Sequence, residues 1–124
     1  MRYVIQKRSC GSVRISSLNR EALRKNLLKA AGRIAKERPE VTRIILFGSV
    51  AEDRAGPWSD VDILIVVRDT SVRFIDRALA YLPYFAEAGV GADLFVYTKS
   101  EETERSIPLL ENAHKNGEIL FARS

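Results

Sequence analysis

Asp60 and Asp62 open an apolar run, Asp60-Val61-Asp62-Ile63-Leu64-Ile65-Val66-Val67, and Gly48-Ser49 closes another, Arg43-Ile44-Ile45-Leu46-Phe47. Side chains on a strand alternate between faces, so Asp60 and Asp62 point to one side with carboxylates near enough to share a cation, and Leu64 and Val66 continue that face. Ionised carboxylates at the head of such a strand lose costly hydration when buried without a counterion. A bound divalent cation offsets that loss. Few hard oxygen ligands suit Mg²⁺ or Mn²⁺, which keep waters and take further ligands from substrate phosphates. Gly48 lets a phosphate approach the backbone, and Ser49 adds a hydroxyl at a turn whose amides favour an anion.

The elements around these residues decide whether they can meet. A helix is expected over about 18–38, with Leu23, Leu27, Ala30, Ala31 and Ile34 on one face and Lys25, Lys29, Arg33 and Lys36 on another; Ser17 or Asn19 caps it and Pro39 closes it. The two apolar runs read as strands joined by a turn-rich loop, Asp53-Arg54-Ala55-Gly56-Pro57-Trp58-Ser59. Phe74, Ile75, Ala78, Leu82 and Phe85 have helical spacing, with Pro83 set to kink or split the helix and Gly89-Val90-Gly91 to stop it. Ala92-Asp93-Leu94-Phe95-Val96-Tyr97 is a third strand. The connection before it is long enough for a crossover, so the second and third strands run parallel and Asp93 joins Asp60 and Asp62. An antiparallel first strand brings Gly48-Ser49 to the same edge. A polar run from Lys99 to Ser106 follows, then a helix over about Pro108 to Asn116, a stop at Gly117, and an edge strand Glu118-Ile119-Leu120-Phe121. Tyr3, Ile5, Val13 and Ile15 suggest a short hairpin around Cys10-Gly11-Ser12.

With 124 residues, 46% of them hydrophobic, and neither internal repeat nor linker composition, the chain reads as one α/β (α+β) unit: a small mixed sheet with helices. No run of about twenty apolar residues is present, and residues 1–8 are too short and charged for a signal peptide, which points to a cytoplasmic protein with no membrane partner. The single cysteine, Cys10, excludes an internal disulfide and has no Cys or His neighbours for a zinc site. A formal net charge of +4 fits a phosphate-bearing partner. The lysine and arginine stripe reads first as a solvated helix face and second as a docking stripe. Trp58 is either a stacking surface for a base or a loop residue folded on apolar surface; Tyr81, Tyr84 and Phe85 read as core, and His114 has no ligand partner in view.

Leu46-Phe47-Gly48-Ser49 followed by Ser59-Asp60-Val61-Asp62-Ile63-Leu64 resembles the signature of the minimal, MNT-type nucleotidyltransferases of the DNA polymerase β superfamily. The likeness runs from about Ile44 to Tyr97, within a single nucleotidyltransferase domain spanning 1–124 whose motif core is about 41–98; the last helix and Gly117-Glu118-Ile119-Leu120 also look like the usual tail of these domains. The resemblance implies that Asp60, Asp62 and Asp93 are catalytic and bind Mg²⁺ or Mn²⁺, and that Gly48 and Ser49, with Ser59 and Arg54, hold a nucleoside triphosphate, ATP the favoured one. It also implies transfer of a nucleoside monophosphate to an acceptor hydroxyl, and a small helical HEPN toxin as partner and acceptor. Where relatives carry Gly-Ser-x-Ala-Arg-Gly, this chain has Gly48-Ser49-Val50-Ala51-Glu52-Asp53, with Arg54 placed to supply the displaced charge.

Two other readings stand beside this one. A binding subunit or antitoxin that keeps the fold with weak or no catalysis is suggested by Glu52 and Asp53, and homo-oligomerisation is the alternative way to complete the cleft. A nucleic-acid-binding module using the basic helix lacks aromatic interleaving and any recognition motif.

Overall fold

The computed structural model describes residues 17–48, 60–104 and 106–123. Helix α1, Ser17–Glu37, buries Leu23, Leu27, Ala30, Ala31 and Ile34, the apolar face expected from spacing. Its C-terminus is held from outside: the Arg123 guanidinium donates to the carbonyls of Ala35 at 3.1 Å, Arg38 at 2.9 Å and Val41 at 2.9 Å. A cation at the negative end of a helix satisfies carbonyls that lack intrahelical partners.

Strands β1 (Val41–Phe47) and β2 (Val61–Val67) pair antiparallel. β3 (Ala92–Thr98) lies parallel to β2, and β4 (Glu118–Ala122) lies antiparallel to β1, giving the order β3-β2-β1-β4. Covered on both faces, β1 and β2 are near-continuous apolar runs rather than alternating ones. On one face Ile44, Leu46, Val61, Ile63, Ile65 and Val67 pack with α1; on the other Ile45, Phe47, Leu64, Val66 and Tyr97 pack under the C-terminal helix.

The β2–β3 crossover holds α2 (Phe74–Arg77), a 3-10 turn (Ala78–Ala80) and α3 (Leu82–Glu87). Pro83 splits this region as its chemistry requires, because it occupies the first turn of α3, where a missing N–H costs nothing. Tyr81, Tyr84 and Phe85 are core residues. Tyr81 donates to Glu40 at 2.6 Å and Tyr84 to Glu37 at 2.8 Å, with the Arg38 guanidinium over both rings. Gly89 ends the segment with φ of 76°.

The polar run after β3 is ordered as helix α4, Lys99–Glu104, which periodicity did not reveal. A reciprocal cap starts it: the Glu101 N–H donates to Thr98 Oγ1 at 3.1 Å and the Thr98 N–H to Glu101 Oε1 at 2.9 Å. Helix α5, Pro108–Asn116, buries Leu110 and Ala113 and ends at Gly117. Gly117 is needed there for room rather than for handedness. Its φ of −81° suits any residue, but an added Cβ would lie 2.6 Å from Ile45 Cγ2 and overlap the Ala113 carbonyl. The hairpin expected around Cys10 lies outside the described residues.

Candidate active site

β1 ends where β2 and β3 begin, so one edge of the sheet collects the chemistry. The registers place Phe47 opposite Asp62 and Asp62 opposite Asp93, a single row across three strands. Asp60 precedes β2 by one residue, and the Val61 N–H donates to the Gly91 carbonyl at 3.0 Å, tying the head of β2 to the turn ahead of β3. Asp62 and Asp93 share their face with Leu64, Phe95 and Tyr97 by strand parity, so the α5 side of the sheet carries the acids.

Asp62 is half-buried and Asp93 exposed. Burial holds the Asp62 carboxyl above the usual carboxylate range, and the negative charges of Asp93 and then Asp60 push it further the same way. Behind the acids, Phe47 and Phe95 form a tilted aromatic pair with centroids 5.9 Å apart. Phe95, two residues after Asp93, went unremarked in the sequence; its signal was the strand alternation that aligns it with the acid.

Gly48 follows Phe47 with φ of 81°, a left-handed conformation that favours glycine. A Cβ here would lie 3.1 Å from Asp62 Cγ and 3.3 Å from Asp62 Cβ, and far inside contact distance of Oδ2. Gly48 and Asp62 therefore meet as expected. Ser49, Arg54 and Ser59, the remaining nucleotide-binding candidates, lie outside the described residues, as do Glu52, Asp53 and Trp58.

The three aspartates supply the hard oxygen donors that a Mg²⁺ or Mn²⁺ ion takes, and their mutual repulsion at Asp62 is what such a charge would relieve. They do not form a closed cage: among the described residues no three Asp, Glu, His or Cys side chains are grouped to hold a metal ion. Asp62 and Asp93 are in register, and Asp60 acts on Asp62 through its charge.

The family model of the nucleotidyltransferase domain matches residues 25–120, which includes all of β1, β2 and β3, the start of β4 and both sides of the acidic edge. The chain belongs to this family. As expected from the sequence, it is a nucleotidyltransferase. A Sulfolobus solfataricus protein assigned as a nucleotidyltransferase without established activity has the same fold, with a TM-score of 0.60 at 20% identity over 84% of each chain. A toxin–antitoxin structure with AMP-PNP matches at 0.59, with 21% identity, over 82% of this chain and 74% of the other. A complex of tri-AMPylated Shewanella oneidensis HEPN toxin with MNT antitoxin matches at 0.51, with 22% identity, over 79% of this chain and 73% of the other. No curated protein matches the chain. No helix among the described residues is long and apolar enough to cross a membrane.

The basic stripe is partly engaged within the molecule. Arg33 pairs with Glu87 and Glu37 and lies over the Tyr84 ring at 5.1 Å, so it fastens α1 to α3. His114, without a partner in the sequence reading, meets Glu102 at 2.5 Å, and Glu102 also pairs with Arg43.

Proposed function

We propose that this chain binds a nucleoside triphosphate, ATP first among candidates, and transfers its nucleoside monophosphate to a hydroxyl of a HEPN-type protein partner, using Asp60, Asp62 and Asp93. The observation that carries the proposal is the row Phe47–Asp62–Asp93, which sets two acids in register at a strand edge beside Gly48. In the reaction the acceptor oxygen forms a bond to the α-phosphorus while the α–β bridging bond breaks, and pyrophosphate leaves with the electron pair. Divalent ions held by Asp60, Asp62 and Asp93 would neutralise charge on the phosphates and acidify the acceptor hydroxyl. Asp93, the exposed member of the row, faces the acceptor side and takes the hydroxyl proton. Gly48 and Ser49 restrain the departing pyrophosphate, with Arg54 and Ser59 completing the triphosphate contacts.

The acids would repel a triphosphate unless a cation lies between them, so binding of ATP should require a divalent ion. Calorimetry with Mg²⁺ and with a chelator tests this: binding that appears only with Mg²⁺ supports the reading, and tight binding unchanged by the chelator refutes it. Glu52 and Asp53, standing where relatives carry arginine and glycine, favour a second reading in which the chain binds nucleotide and partner without transfer. Mg²⁺-dependent binding without label transfer to any partner would select it.

A further inference from the structure

We propose that Gly48 is the positioning residue of Asp62: its bare Cα is the seat against which the Asp62 carboxylate rests. The metal-ligand part of this inference rests on the function proposed above, whereas the contact itself does not. Two independent demands converge on position 48. The backbone has φ of 81°, which costs any L side chain energy. Separately, the direction in which a Cβ would project is already filled by Asp62, whose Cγ would be 3.1 Å away and whose Oδ2 would be nearer still. The second demand is not conformational. Asparagine tolerates the left-handed region yet would collide as alanine does.

The obstructing atoms belong to the carboxylate rather than to the backbone, so a side chain at 48 would be accommodated by rotating Asp62 away. That rotation would turn the carboxylate away from its present place beside Asp93 and Asp60, whose charges now act on it. Phe47 is poorly placed to move aside and absorb the strain, because it is buried, paired with Asp62 in the ladder and packed at a tilt against Phe95. Gly48 thus acts on the acid, in addition to letting a phosphate approach the backbone.

A double-mutant cycle in chelator tests the contact without reference to activity. Gly48→Ala should lower the melting temperature of the wild-type chain, and the drop should be at least halved when Asp62 is already alanine, because the overlap with the carboxylate is then gone and only the φ cost and a tight 3.3 Å contact with the Cβ at position 62 remain. Gly89→Ala, placed at φ of 76°, is the control for handedness and should lower stability equally in both backgrounds. Mn²⁺ affinity, read by electron paramagnetic resonance, should weaken roughly 10- to 100-fold in Gly48→Ala, the scale of losing ligand orientation, and by less than about twofold in Gly89→Ala. Equal melting-temperature drops for Gly48→Ala with and without the Asp62 carboxylate would overturn the contact. Wild-type protein that binds no Mn²⁺ would overturn the role in ligand positioning, while the melts would still decide the contact.

Discussion

Asp62 is the residue on which structure and chemistry pull in opposite directions. Burial and two neighbouring carboxylates raise its folded-state pKa above the unfolded value of 3.8. The folded protein therefore binds the Asp62 proton more tightly than the unfolded chain does, and this contribution to stability is complete below pH 3.8 and is lost as pH rises through the higher folded pKa. At neutral pH the ionised carboxylate is a liability in the metal-free protein. Asp62→Asn, neutral at every pH, should melt at or above the wild-type temperature at pH 7 in chelator, and the gap should close as pH falls towards 3.8. Thermal melts across that range check it; a variant less stable at pH 7 would show that the carboxylate serves the fold. The acids, their alternation and their meeting at one edge were legible in the sequence because parity and strand direction fix where side chains go. The steric demand of Asp62 on Gly48 was not, since a glycine's missing Cβ has no neighbours until the turn is placed.

At the scale of elements, α1, strands β1, β2 and β3 and helix α5 carry their own periodicity, and each lies within a few residues of its expected bounds. Helix α4 does not, because Lys99-Ser100-Glu101-Glu102-Thr103-Glu104 has no apolar stripe to reveal it. What builds it is Glu101, which accepts the Thr98 N–H and also takes Arg77 in a bidentate pair at 2.6 and 3.1 Å. Thr98-x-x-Glu101 has the spacing of a capping box, which the sequence reading passed over as part of a polar run, and the arginine comes from a different element. Arg77 is only 10% exposed, so Glu101→Ala would remove the cap and leave a largely buried guanidinium without its carboxylate. The expected loss is roughly 2–3 kcal/mol, after allowance for partial exposure, measured by urea unfolding. A change under about 0.5 kcal/mol, typical of an ordinary surface substitution, would mean that the pair holds nothing. Arg123→Ala removes the brace on α1, and about 1 kcal/mol should go with it, since two of its three carbonyl bonds are exposed and the third is only part-buried.

For the whole molecule, four strands and their helices take up the described residues, and among these Asp93 stands exposed at the acidic edge. Orienting the acceptor contributes much of the rate in group transfer, so an open edge should be slow on free small molecules and fast on a protein that covers it. Nucleotide transfer by these acids is decided by an assay with α-labelled ATP, Mg²⁺, this chain and a co-expressed HEPN-type partner, with label incorporation and intact mass read on the partner. A gain of one or more nucleoside monophosphate units on the partner, abolished by chelator and by Asp62→Asn, is the expected result. Transfer that persists undiminished in Asp62→Asn would contradict it.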